Sequence, residues 1–126
     1  MRRQARTALG AAAIAFVGIL APAPAAQADS DAFLYVGGTL RATGAFTSDD
    51  EILSVYDARP DGHSAVIRVW YGSGSERRCW NHEGAGNNVN CDDNVAEGTR
   101  VKWRLCIGEY GTRTILNCTP ARVDYA

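Results

Sequence analysis

The stretch Val101-Lys102-Trp103-Arg104-Leu105-Cys106-Ile107 decides the fold. Apolar and polar residues alternate through it, with Val101, Trp103, Leu105 and Ile107 on one face and Lys102, Arg104 and Cys106 on the other. Successive side chains of a strand point to opposite sides, so this period of two marks a strand with one buried face. Ser64 to Tyr71 repeats the pattern, setting Ala65, Ile67, Val69 and Tyr71 against Val66, Arg68 and Trp70, and reads as a more central strand. Shorter strand segments are Ala32 to Leu40, Ile52 to Ala58, Arg77 to Asn81, Val89 to Cys91 and Thr114 to Cys118. Turn signals punctuate them at Gly37-Gly38, Pro60-Asp61-Gly62, Gly72-Ser73-Gly74 and Glu97-Gly98. No long helical period free of glycine follows position 28. The expectation is an all-β domain, a small antiparallel sandwich or barrel of about seven strands.

Four cysteines sit on this framework, and four cysteines permit three pairings. Cys79 to Cys91 and Cys106 to Cys118 share one separation, and each pair brackets a turn containing glycine. Opposite positions on a hairpin sum to a constant. Cys79 and Cys91 therefore meet if their turn centres on Ala85, between Gly84 and Gly86, and Cys106 and Cys118 meet if theirs centres on Thr112, beside Gly111. Sequential pairing is expected, giving two hairpin disulfides. Each closes a loop of about thirteen residues and stabilises a small core by about 3 kcal/mol in the chain-entropy description. The other use of four thiolates, a metal site, calls for close spacing such as C-x-x-C, which the sequence lacks. No metal and no cofactor are expected.

Residues 1–28 have the three-part layout of a secretory signal. Arg2, Arg3 and Arg6 precede an uncharged apolar run from Ala8 to Leu20, and a Pro/Ala stretch ends in Ala26-Gln27-Ala28. The small residues Ala26 and Ala28 place cleavage after Ala28, leaving a single domain over 29–126. The apolar run is shorter than the roughly twenty residues that cross a bilayer as a helix, so no membrane association is expected after cleavage. Arg2-Arg3 lacks the flanking residues of the twin-arginine route, and no cysteine stands at the cut to take a lipid. The domain is expected to be secreted and extracellular, where disulfides persist. Over 29–126 ten basic residues face fourteen acidic ones. The longest basic cluster is Arg77-Arg78, flanked by Glu76. Nucleic-acid binders neutralise phosphates with a basic stripe, so nucleic acid is not the expected partner.

Asp61-Gly62-His63-Ser64, the strand after it, Trp80-Asn81 with Gly84 and Gly86, and the segment from Cys106 to Cys118 together resemble a group of small secreted actinobacterial proteins. Streptomycetes and their relatives encode these in many copies. The resemblance covers about half of residues 29–126 and implies export and a β fold, with no activity attached. The pair Cys79 and Cys91 is an addition to that pattern.

His63 follows a β-turn signature and is expected to begin a strand with its ring half exposed. His82, Glu83 and Arg77, with Arg78, supply the residue types of a microbial ribonuclease: imidazole acid, carboxylate base and cationic clamp. Neighbours on an extended strand point to opposite faces, however, so His82 and Glu83 would need a bent backbone to cooperate. No G-x-S-x-G motif is present for a hydrolytic triad. Asp49-Asp50-Glu51 and Asp92-Asp93-Asn94 lack the ligand spacing of a calcium loop and read as solvated turns. Streptomycetes also secrete disulfide-bonded amylase inhibitors that use a Trp-Arg-Tyr turn. The nearest match, Trp103-Arg104-Leu105, lies in a strand with Trp103 facing the core, so that correspondence fails. Trp80, Trp70 and Tyr110 are candidate exposed aromatic anchors, Trp80 first because it follows a cysteine beside a loop rich in Gly and Asn. Packing over the disulfide is the competing role for Trp80. The reading is a secreted, non-catalytic module that binds or inhibits an extracellular protein or polysaccharide through Trp80, His82, Arg77 and Arg78. A small secreted hydrolase or toxin of ribonuclease type, using His82, Glu83 and Arg77, is the alternative.

Overall fold

A computed structural model of the protein describes residues 29–126. The signal peptide expected over residues 1–28 lies outside the described residues. The described chain runs β1 (Ser30–Val36), β2 (Thr39–Thr47), β3 (Ile52–Asp57), β4 (Ser64–Tyr71), β5 (Arg77–Asn81), β6 (Asn88–Asp92), β7 (Arg100–Glu109), β8 (Thr114–Cys118) and β9 (Arg122–Tyr125). The strands form two antiparallel sheets, a four-stranded one in the order β1-β2-β3-β6 and a five-stranded one in the order β5-β4-β7-β8, with β9 also on β7. The all-β sandwich is as expected, with nine strands among the described residues instead of about seven. Gly37 and Gly38, both at positive φ, break the single segment expected over Ala32 to Leu40 into the β1–β2 hairpin. At four residues, Arg122–Tyr125 is too short for alternation to mark it as a strand. It pairs with residues 100–103 of β7, while β8 takes residues 106–109.

The core lies between the sheets. Ala32, Leu34, Phe46, Leu53 and Val55 come from the first, and Ile67, Val69, Val101, Trp103 and Leu105 from the second. The inward face of β7 is the one its alternation marked, and Trp103 at its centre is fully buried. Its indole Nε1 donates to Asp124 Oδ2 at 2.8 Å, which satisfies a polar atom that burial would otherwise penalise. Val66 is also fully buried although it faces outward. Its cross-strand neighbours on that face are Trp80 and Cys106, so bulky groups flank it on both sides.

Both disulfides pair as expected, Cys79 with Cys91 and Cys106 with Cys118. Cys106 and Cys118 are opposite one another on β7 and β8, in a hairpin. The hairpin expected for the other pair is not formed, because β5 pairs with β4 and β6 pairs with β3. Cys79–Cys91 instead clamps one sheet to the other. A period of two shows which way a cysteine faces but not which strand lies beyond it.

Candidate functional site

Alternation along β5 sends Cys79 and Asn81 inward and Arg78 and Trp80 outward. Asn81, fully buried, holds the following loop in place. Its Nδ2 donates to the carbonyls of Val55 at 3.0 Å and Asn87 at 2.6 Å, and its Oδ1 accepts from the Glu83 amide at 3.2 Å. The Gly86 amide donates to the Asp57 carbonyl at 2.8 Å, fixing the loop against the end of β3. On the outer side Trp80 meets Tyr110 edge-on, with ring centres 5.7 Å apart, and His82 stacks on Tyr110 at 4.2 Å. Gly108 makes room for this arrangement. A Cβ there would lie 3.1 Å from Cη2 of Trp80 and 2.4 Å from the Thr114 carbonyl oxygen.

The turn between β7 and β8 brings a cation to the same cluster. Arg113 adopts φ 59°, a left-handed conformation uncommon outside glycine. Its amide donates to the Tyr110 carbonyl at 3.3 Å, and its guanidinium donates to that carbonyl as well. The guanidinium carbon lies 3.5 Å from the Tyr110 ring centre and 5.9 Å from that of Trp80. Arg78 Nη1 donates to the Arg113 carbonyl at 2.8 Å, tying β5 to the turn.

Beside this cluster a groove of about 390 Å³ runs between the loops at 58–63 and 82–87, lined by Asp57, Arg59, His63, Ser64 and His82. Nδ1 of His63 is paired with Oε1 of Glu109 at the end of β7. Asp61 Oδ1 accepts from the His63 amide at 3.0 Å, while its Oδ2 accepts from Arg41 at 2.6 Å. Burial raises the Asp61 carboxyl, but the His63 amide and Arg41 together outweigh it and hold the group below its ordinary value. Asp57, at the floor of the groove, is pushed the other way by burial, opposed by the Arg59 amide.

Further along the same outer face the register aligns Arg78, Arg68 and Arg104 across three strands. Glu76 is paired with Arg68 and lies 3.2 Å from Arg78. Burial alone would raise its carboxyl, yet Arg68 and then Arg78 bring it below its ordinary value. Trp70 sits beneath two cations, with Arg68 5.1 Å and Lys102 5.4 Å from its ring centre.

Of the residues singled out in the sequence, Trp80, His82 and Arg78 are gathered into one cluster. Arg77 is not, because it points to the other face of β5. Its Nη1 lies 3.9 Å from Asp93 Oδ1, and its guanidinium carbon lies 5.6 Å from the Tyr71 ring centre. The Tyr71 hydroxyl donates to Asp93 at 2.6 Å, and burial together with that hydrogen bond pushes its pKa up. No ion pair or hydrogen bond joins His82, Glu83 and Arg77 to one another among the described residues. Arg113, the His63–Glu109 pair and the arginine row escaped sequence reasoning. For the arginine row the only signal was outward position on strands whose neighbours were unknown, while Arg113 and His63 lie in a turn and a loop with no sequence cue to their partners. Among the described residues no three His, Cys, Asp or Glu side chains converge as a metal site.

Fold and site together define a disulfide-clamped antiparallel β-sandwich with an aromatic and cationic cluster on the outer face of one sheet. Compared with known proteins, the chain matches no family model, no curated protein and no solved structure.

Proposed function

We propose that this is a secreted, non-catalytic binding module that engages an extracellular protein or polysaccharide through the outer face of its five-stranded sheet. The observation that carries the reading is the cluster of Trp80, Tyr110, His82 and Arg113, half buried to exposed at one end of the sandwich. Trp80 stands on β5, His82 just beyond it in a loop held by Asn81, and Tyr110 and Arg113 on a turn pinned by Arg78 between disulfide-joined strands, so little side-chain and loop entropy is left to lose on binding. Aromatic and arginine side chains in such settings supply most of the energy of protein interfaces. Two disulfides in a small β domain are compatible with an extracellular location. No helix of the described residues is long and apolar enough to cross a membrane.

The test is retention on isolated cell-wall material and on immobilised proteins from culture supernatant, comparing wild type with Trp80→Ala and with Phe33→Ala. Phe33 is exposed on the opposite sheet. Retention that falls at least tenfold in Trp80→Ala and survives in Phe33→Ala supports the reading. Equal retention by all three, or none by wild type, sinks it.

One observation favours a second reading, a small hydrolase of ribonuclease type. His63, oriented by Glu109, and His82 line the same groove, which supplies two imidazoles for acid and base roles. Release of acid-soluble nucleotide from RNA, abolished separately by His63→Gln and His82→Gln, is its signature. Turnover no faster than a blank removes it.

A further inference from the structure

The row of Arg78, Arg68 and Arg104 is costly as it stands. Adjacent strands are about 4.8 Å apart, and like charges directly opposite on a sheet destabilise it. Only Glu76 compensates, and it engages Arg68 and Arg78. Arg104 has no ion pair among the described residues, and its Nε is buried without a hydrogen-bond partner. That unmatched buried donor costs free energy, and the Arg104 charge is left for an anion outside the chain to neutralise. Charge also continues along β7, where Arg100, Lys102 and Arg104 all face outward at steps of about 6.7 Å. The cations thus extend in two directions, across the sheet and along its central strand.

We propose that this cationic grid binds an acidic polysaccharide, a chain whose carboxylate, sulfate or phosphodiester groups repeat along its length and lie over β7. The proposal rests on the binding reading above and names the ligand class for that same face. A grid this wide matches a repeating charge better than a single anion. The aromatic rings favour a polysaccharide over single-stranded nucleic acid, which is bound by stacking bases on open ring faces. Here the rings are already taken by cations. Arg68 and Lys102 lie over Trp70 and Arg113 lies 3.5 Å from the Tyr110 ring centre, on which the His82 ring is also stacked. The rings hold guanidinium and ammonium groups in position through cation–π attraction, so fixed charge is what the face offers.

The experiment measures binding of the full chain to dextran sulfate, to uncharged dextran and to poly(dT) over a range of salt concentrations. Dextran sulfate is expected to bind with a steep inverse dependence on salt, and dextran not to bind. Arg104→Gln lowers the affinity and flattens the log–log salt slope by about one, as the loss of one neutralising contact requires. Arg104→Lys keeps the slope. Glu76→Gln releases Arg68 and Arg78, so it raises the affinity and steepens the slope, a change that damage to the fold would not produce. Asp92→Asn, on the opposite sheet, leaves both unchanged. The proposal is overturned if Arg104→Gln binds like wild type, or if dextran sulfate fails to bind at low salt. Tighter binding of poly(dT) assigns the grid to nucleic acid instead. A sedimentation mass above the monomer without polymer, lost in Arg104→Gln, assigns it to a second copy of this chain. Salt-independent binding of dextran that depends on Trp80 overturns the acidic ligand but leaves the binding reading standing, so the two failures are distinguishable.

Discussion

The two outer faces of the sandwich are built alike and furnished differently. On the four-stranded sheet the outward positions include the small or neutral Thr43, Ala45, Ser54 and Asn90, the acidic Asp31 and Asp92, and Arg41, with Phe33 and Tyr35 exposed on the edge strand β1. Ser54 donates to Asn90 there, satisfying polar groups with one another. On the five-stranded sheet the outward positions include Arg68, Arg78, Arg100, Lys102 and Arg104, with Trp70 and Trp80 between them. On the strands of the four-stranded face the one cation, Arg41, is paired with Asp61. The other holds charge in excess of its partners, although residues 29–126 are acidic as a whole. Net charge is a sum over faces, whereas a ligand meets one face.

The largest effect expected on this comparison concerns how the sheets are held together. Cys79–Cys91 joins the two sheets and Cys106–Cys118 lies within one, yet both span the same twelve positions of sequence. If the unfolded chain is what they restrict, paired Cys→Ala substitutions at either bridge lower stability by about 3 kcal/mol, read by denaturant unfolding. A clear inequality would mean that clamping the sheets contributes in the folded state as well.

Gly108 and Gly44 give the next contrast. An added methyl at Gly108 meets the backbone oxygen of Thr114, which cannot move without breaking the β7–β8 register. At Gly44 it meets the ends of Leu105, Ile67 and Trp103 at 3.2 to 3.4 Å, side chains with some freedom to adjust. Overpacking of this kind costs about 1–3 kcal/mol. Gly108→Ala should fall at the upper end and also disturb the Trp80 fluorescence, while Gly44→Ala falls at the lower end. The reverse order would place the tighter packing in the core beneath the four-stranded sheet.

The effect of pH is smaller and its sign is set by Glu76. Its carboxyl titrates below 4.5 in the folded chain because Arg68 and Arg78 outweigh its burial. A depressed folded value means that the stabilisation is fully present above the unfolded value of 4.5 and is lost as pH falls through the folded one. Wild type should therefore lose stability in that window by more than Glu76→Gln does. Dextran sulfate, which stays charged, should bind more tightly as Glu76 protonates. Unchanged binding through this range would show that Glu76 does not restrain the arginines.

Arg113→Gly is expected to have the smallest effect on stability. Glycine relieves the left-handed backbone by about 1 kcal/mol, and losing the cation over Tyr110 costs about as much. Thermal unfolding should shift little while retention on ligand falls. A large destabilisation would make Arg113 a structural residue.

How much of this was legible in the sequence follows from range. Alternation in β7 and β4 gave the buried face, Trp103 included, because a period of two is a local property. The turn centred on Thr112 could be read from cysteine spacing. A register shift between Cys106 and Gly108 displaced it only at the tip. The partners of β5 and β6 could not be read, since both strands leave the same loop for different sheets. For the same reason Arg68, Arg78 and Arg104 looked like scattered surface cations. They form a row only once Arg68 is known to face Arg78 on one side and Arg104 on the other. Trp80 and His82 were found because they sit beside a cysteine and a glycine-rich loop. Arg113 gave no such cue, as nothing local marks a non-glycine residue for the left-handed conformation.

The central claim, that ligand meets the outer face of the five-stranded sheet, is tested most directly by following backbone amide chemical shifts during titration with dextran sulfate. The account predicts shifts concentrated at Arg68, Arg78, Lys102 and Arg104 and extending to Trp80 and Arg113. Shifts centred instead on Thr43, Ser54 and Asn90 would contradict it.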